Sequence, residues 1–292
     1  MTIRAGFIGC VASSKVSLRA LLKVPAMKVC AVISVRPNPS ISDFVDLSPI
    51  CAKENIPIHF EESGKKDLSK DFLESHKLDV IFCIGWSRLL DKEILSLTPH
   101  GVVGFHPADL PSNRGRHPIV WALALGLQKT ASTFFLMDEG ADSGPILSQE
   151  PVDILNSDNA TTLYEKILKI AEKQIFEIGS DLVSGNLSSI NQDHSLANTW
   201  RKRGYDDGVI DFRMPAQSIH NLIRALAPPY PGAEFNFNGS QIKVIDSIPL
   251  LDGIPVNFEP GKVLEIKDSG ILVKTAGSGA IWLLDIADEG IF

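Results

Sequence analysis

Through the first half of the chain, short runs of β-branched and aliphatic residues alternate with stretches whose apolar positions recur at helical spacing. Segments 3–8, 28–35, 79–84 and 102–105 have the composition of strands, and stretches such as 14–22 between them have that of helices. This alternation predicts an α/β fold, a mostly parallel, Rossmann-like sheet flanked by helices. Asp79-Val80-Ile81-Phe82-Cys83-Ile84-Gly85 is apolar at successive positions, as a central strand covered on both faces would be. Its carboxyl end is therefore where a ligand is expected. Further strands are predicted at 132–137 and 146–152. An amphipathic helix is predicted over 161–184, with Leu163, Ile167, Ile170, Ala171, Ile178 and Leu182 on one stripe. Asp158 or Asn159 suits its N-terminal cap, and Gly185 its end.

Residues 186–203 turn polar, from Asn186, Ser188, Ser189, Asn191, Gln192, Asp193 and His194 to a basic knot at Arg201-Lys202-Arg203. They read as a linker between a first domain over 1–185 and a second over 204–292. The second part predicts a helix at 216–226, stopped by Pro228-Pro229, and then turn-punctuated strands at 234–237, 241–248, 262–266, 270–275 and 280–284. A smaller β-rich, barrel-like C-terminal domain follows from that pattern. With 292 residues, each domain is large enough to bury its own core.

Composition narrows the function classes. No apolar run approaches the roughly 20 residues that span a bilayer, so no membrane insertion is expected. The N-terminus reads as a strand instead of a signal peptide, which makes the cytoplasm the expected location. Cys10, Cys30, Cys51 and Cys83 lack paired spacing, which suits buried reduced thiols and argues against a metal site. A formal charge of -7 gives no general pull toward polyanions. Gly6-Phe7-Ile8-Gly9-Cys10 lacks the glycine spacing by which a dinucleotide pyrophosphate is approached, which disfavours a dinucleotide oxidoreductase.

The chemistry-bearing stretch begins at Gly104. His106 follows a strand end and enters a Pro-rich loop, which would hold its imidazole rigidly at the ligand edge of the sheet. Asp142 stands in an acidic turn flanked by Gly140 and Gly144. Alone, the one is an ordinary loop histidine and the other an ordinary turn aspartate. Together they belong to two long motifs: His-Pro-x-x-Leu-Pro-x-x-Arg-Gly from His106 to Gly115, and Met-Asp-Glu-Gly-x-Asp-Ser-Gly-x-Ile-Leu from Met137 to Leu147.

This pair of motifs resembles the folate-dependent formyltransferase family, whose members include methionyl-tRNA formyltransferases and nucleotide-linked amino-sugar N-formyltransferases. The resemblance extends to Gly85-Trp86-Ser87-Arg88-Leu89-Leu90, Asp207-Gly208-Val209-Ile210-Asp211-Phe212, His220-Asn221-Leu222-Ile223-Arg224-Ala225 and Pro229-Tyr230-Pro231-Gly232-Ala233. It implies 10-formyltetrahydrofolate as co-substrate, His106 as proton carrier, and Asp142 as the group that orients or charge-stabilises the imidazole. It also implies folate contacts from Trp86, Arg88, Leu89, Leu90, Ala141 and Asp142, with no metal. The family's catalytic asparagine falls on Gly104, which has no side chain to donate to a developing oxyanion. A backbone N–H, a bound water or His117 could supply the missing donor; His117, an unusual residue for its place in the motif, is the side chain to test for it, against a plain loop or substrate-contact role.

For the acceptor, the family resemblance favours the sugar branch. The tRNA enzymes carry a basic, Gly-rich insertion after the second strand, whereas residues 35–43 here hold one Arg and no Lys. A nucleotide-linked amino sugar is the expected small-molecule substrate, with Asn113, Arg114, Trp200 and Tyr230 as substrate contacts and Arg201, Lys202 or Arg203 pairing with a diphosphate. A tRNA acceptor is the runner-up, followed by a hydrolase releasing formate and by a folate-binding relative without turnover. A homodimer is the expected assembly, if the chain assembles at all.

Overall fold

The computed structural model describes residues 2–39, 41–62 and 66–287. The first half contains β1 (Ile3–Ile8), α1 (Ala12–Leu21), β2 (Met27–Ser34), α2 (Ser48–Lys53), β3 (Ile58–Phe60), α3 (Lys66–Glu74), β4 (Val80–Cys83), α4 (Lys92–Leu95) and β5 (Val102–His106). There follow β6 (Arg114–Gly115), α5 (Pro118–Ala124), β7 (Lys129–Leu136), β8 (Ile146–Asp153), α6 (Ala160–Ser184) and β9 (Thr199–Trp200). The remainder holds α7 (Ala216–Ala225), β10 (Ala233–Phe237), β11 (Ser240–Leu250), β12 (Val263–Lys267), β13 (Gly270–Lys274) and β14 (Ala280–Ala287).

The chain divides into two compact units. One comprises the residues up to Gly115 with Ala131–Val152 and Lys166–Thr199; the other comprises Arg116–Thr130, Asp153–Glu165 and everything from Trp200.

The first unit is built on a seven-stranded sheet in the order β3-β2-β1-β4-β5-β7-β8. Neighbours from β3 to β5 pair in parallel, while β7 runs antiparallel to β5, so the mostly parallel architecture expected from the alternating pattern is what forms. The continuous apolar run of β4 has a simple cause. Val80 and Phe82 pack on one face with Leu18 and Leu21 of α1 and Ala171, Ile175, Ile178 and Leu182 of α6. Ile81 and Cys83 pack on the other with Leu73 of α3 and Ile94 of α4. On α6 the buried stripe runs through Ile175, while Ile170 is only half-buried.

Asn159, not Asp158, caps α6: its side chain accepts the N–H of Thr162 at 3.0 Å, and the Thr162 hydroxyl accepts the N–H of Asn159 at 3.0 Å. This reciprocal arrangement satisfies two otherwise orphaned donors. Gly185, at φ +74°, ends the helix in the left-handed conformation that glycine adopts without a steric penalty.

In the second unit a five-stranded antiparallel sheet, β10-β11-β14-β13-β12, packs against α7. Arg224 of α7, 7% exposed, explains why 153–165 belongs here: it donates to the carbonyls of Leu155 at 3.1 Å and Asp158 at 3.0 Å. Helix α5, unforeseen in a stretch that reads as a Pro-rich loop, also packs on α7, and Pro118 stands in its first turn, where the missing N–H costs nothing. All four cysteines are buried free thiols, and burial pushes Cys10 and Cys51 up to about 11. Among the described residues no group of side chains could hold a metal ion, and no helix is long and apolar enough to cross a membrane.

Replacing Asn159 with Ala is expected to lower the unfolding free energy by about 1 kcal/mol in urea titration. An unchanged midpoint would show that α6 does not depend on this cap.

Candidate functional site

His106 ends β5, and strand alternation puts it on the same face as Val102 and Gly104. Its side chain is 6% exposed. The ring Nε2 lies 2.8 Å from the backbone carbonyl of Asn113. A carbonyl oxygen can only accept, so Nε2 carries a proton, and the exchangeable position of the ring is Nδ1. Nδ1 faces Asp142 Oδ2 at 3.5 Å, and the same carboxylate oxygen accepts the N–H of Gly115 at 2.8 Å. An imidazole fixed at one nitrogen, with a carboxylate facing the other, can take up a proton at Nδ1 and have the resulting cation stabilised.

Left-handed backbone makes this arrangement possible. Asn113 at φ +64° and Asp142 at φ +54° are both non-glycine residues in that region, which costs roughly 1–2 kcal/mol each. Asn, Asp and His are among the side chains that tolerate it best. The kink at Asn113 is held by its N–H, which donates to the Asn198 side chain at 2.7 Å. At Gly144 a Cβ would lie 1.8 Å from the Leu136 carbonyl oxygen, so the Asp142 turn closes on β7 only with glycine there.

Gly104 is also committed by packing. A Cβ at this position would meet Met137 Cγ at 2.7 Å and Phe135 Cζ at 2.9 Å. The room that a side chain at 104 would need is therefore filled by an apolar wall.

Of the residues expected to contact folate, Trp86 is half-buried against Cys10, Val11 and Val35. Arg88 pairs with Glu61 at 2.6 Å, its guanidinium 5.5 Å from the Trp86 ring. Leu90 packs on the core, Leu89 is 68% exposed, and Ala141 is exposed in the same turn as Asp142. Beside this strand end, Ser14 of α1 donates to the Ile84 carbonyl at 2.6 Å, and a Cβ on Gly9 would lie 2.3 Å from that oxygen.

Arg114 is buried, its guanidinium donating to Gln192 Oε1 at 3.2 and 2.6 Å and to His194 Nδ1 at 3.1 Å. Gln192, His194 and Asn198 come from a stretch whose polar composition reads as a linker. Nothing in that composition marks a buried glutamine.

In the second unit, Trp121 and Trp200 have ring centroids 6.5 Å apart, and the guanidiniums of Arg203 and Arg201 lie 4.7 and 5.3 Å from the Trp121 ring. Arg201 is paired with Asp207 at 2.7 and 2.6 Å, which holds that carboxyl well below the usual range. His117, just before α5, has a buried Nε2 with no hydrogen-bond partner. Burial, with Arg116, Arg203 and Lys202 nearby, pushes its imidazole below the ordinary value, against the opposing pull of Asp207. Tyr230 is half-buried in the turn after α7.

An imidazole and a carboxylate thus converge at the carboxyl edge of the strands of an open α/β sheet, and an antiparallel β unit follows in the chain. Residues 23–178 match the model of the formyl transferase family, and residues 203–291 match its C-terminal domain. The chain belongs to the formyl transferase family. WlaRD, a sugar 3N-formyl transferase solved with dTDP and 5-N-formyl-THF, superposes with a TM-score of 0.72 at 19% identity, over 97% of this chain and 98% of that one. The N-formyltransferase of Helicobacter canadensis, in complex with folinic acid and dTDP-3-aminofucose, gives 0.71 at 17% identity over 97% and 99%. HypX of Aquifex aeolicus, in complex with tetrahydrofolic acid, gives 0.65 at 16% identity, over 97% of this chain and 44% of its own. At these identities the likeness establishes the shared fold.

Gly104→Asn must displace Met137 or Phe135, so a loss of about 1–3 kcal/mol in unfolding free energy is expected, with no gain in turnover. A variant as stable as the parent and faster would show that the wall yields. His117 generates a pH dependence. Its proton affinity is depressed in the fold, so the unfolded chain binds the proton first, and stability is lost as pH falls below about 6.5. His117→Asn, which keeps a residue tolerant of positive φ, is expected to flatten the fall in melting temperature below that pH. His220, depressed by burial and by Arg224, contributes in the same direction. An unaltered slope in His117→Asn would remove His117 from the account.

Proposed function

We propose that the chain transfers the formyl group of 10-formyltetrahydrofolate to the amine of a nucleotide-linked amino sugar. The observation that carries this reading is the His106–Asp142 pair, its Nδ1 turned to the carboxylate, in a chain of the formyl transferase family. The amine nitrogen attacks the formyl carbon, a new C–N bond forms, and the bond from that carbon to the folate nitrogen breaks. The amine surrenders a proton, which Nδ1 of His106 accepts, and the departing folate nitrogen gains one, leaving tetrahydrofolate. Asp142 stabilises the imidazolium between those events. We assign the donor and the transfer step to the first unit and the nucleotide of the acceptor to the second.

The donor is supported by the exposed Leu89 and Ala141, which offer apolar contact to a ring, and by the formyl-folate carried by WlaRD. The acceptor is supported by the dTDP-sugar of the Helicobacter canadensis protein and by the Trp121, Trp200 and Arg203 group, which presents aromatic faces and cations as a nucleotide requires. A tRNA acceptor gains nothing from the loop after β2, where the one arginine, Arg36, stacks on Phe60 at 4.8 Å.

Incubation with 10-formyltetrahydrofolate and a panel of nucleotide-linked amino sugars, read by mass spectrometry, is expected to show a product heavier by one formyl group. Formylation of initiator methionyl-tRNA alone would return the runner-up, and formate without acylated product would make the protein a hydrolase. His106→Ala and Asp142→Ala are each expected to lower turnover by about 100-fold or more while the fold is kept. Near-parental rates in either variant would place the chemistry elsewhere.

A further inference from the structure

We infer that Gln192 is a positioning residue of the transfer step: it sets the separation between His106 and Asp142 without touching either imidazole or carboxylate. Gln192 lies in the stretch between the two segments matched to the family, and its side chain is buried. Its amide is fully engaged. Nε2 donates to the carbonyls of Asp142 at 2.9 Å and Gly144 at 2.7 Å, while Oε1 accepts both Arg114 bonds, at 3.2 and 2.6 Å. A primary amide offers two donor hydrogens and two acceptor lone pairs, and here all four are used.

The four bonds join the two loops on which the pair depends. One loop brings Asn113, whose carbonyl holds His106 Nε2, and Gly115, whose N–H holds Asp142 Oδ2; Arg114 stands between them. The other loop is the Asp142 turn itself. The His106–Asp142 contact, at 3.5 Å, is longer than a formed N–H···O bond and cannot fix its own length. Without Gln192, Gly115 would be the direct hydrogen bond from the Asn113–Gly115 loop to the Asp142 turn. Gln192 adds the second fastening, from the turn's carbonyls to the guanidinium of the opposite loop. The amide also has no charged substitute. A carboxylate would keep the acceptor for Arg114 but would face two carbonyl oxygens with no proton to give them.

The kinetic part of the test rests on the formyl-transfer reading; the spectroscopic part does not. Gln192→Glu keeps the bond to Arg114 at the cost of two donors, and its circular dichroism and melting curve establish that it folds before kinetics are read. With dTDP-3-aminofucose, or the panel member turned over fastest, kcat should fall about 10- to 100-fold while KM for 10-formyltetrahydrofolate stays within about twofold. In an Asp142→Ala background the same substitution should cost nothing further, because the group it positions is gone. Independently of any acceptor, 15N NMR of the imidazoles, with His106 assigned through His106→Gln, should show the Nδ1 resonance of His106 displaced in Gln192→Glu and that of Nε2 less so. An unmoved Nδ1 resonance, parental kcat, or an equal loss in the Asp142→Ala background would each overturn the assignment. If the wild-type protein formylates no acceptor, the functional reading fails, and the NMR comparison alone decides the role of Gln192.

Discussion

The site depends on one backbone carbonyl. Asn113 turns its oxygen to His106 because its φ is +64°, and that hydrogen bond commits one ring nitrogen for good. A histidine with Nε2 so fixed has one position left at which to gain and lose a proton, and that position faces Asp142. The Pro-rich loop, the left-handed kinks and the buried glutamine all serve this constraint. Each holds a backbone group at a distance that a mobile loop would not keep. Local strain at Asn113 and Asp142 is sustained because the surrounding hydrogen bonds over-determine the conformation.

Gly104 belongs to the same economy of space. Strand β5 pairs Gly104 with Phe135 of β7, and the Phe135 ring with Met137 covers the glycine. An asparagine here would need the neighbouring strand rebuilt as well as a new side chain. The glycine and the apolar wall thus form one unit, and the absence of a side chain at 104 is built into the packing of β5 on β7.

Much of this was legible in the sequence. The strand–helix alternation identifies the sheet because buried parallel strands need successive apolar residues, and His106 and Asp142 stand in motifs long enough to be read. What escaped was set by tertiary context. Helix α5 hides behind prolines, although Pro118 occupies a position that helices accept. Asp153–Glu165 lies between two elements of the first sheet's half of the chain yet joins the second unit, because Arg224 binds carbonyls of that segment, a partner choice invisible in composition. Gln192 is the clearest case. A polar residue in a polar stretch reads as solvated, and only the carbonyls it meets reveal why it is buried.

The charge around Trp121 bears on how an acidic chain could favour an anionic acceptor. One residue, Asp207, serves two guanidiniums: its carboxylate accepts a bidentate pair from Arg201, and its backbone carbonyl accepts from Arg203. Arg203 is pushed below the ordinary range by burial, and the neighbouring charge of Arg201 works in the same direction. With Arg116 and Lys202 also acting on His117, positive charge exceeds negative across this part of the second unit. Burial and neighbouring positive charge disfavour the charged forms of His117 and Arg203, and an arriving anion opposes both effects. The excess is small and local within a chain of net charge -7.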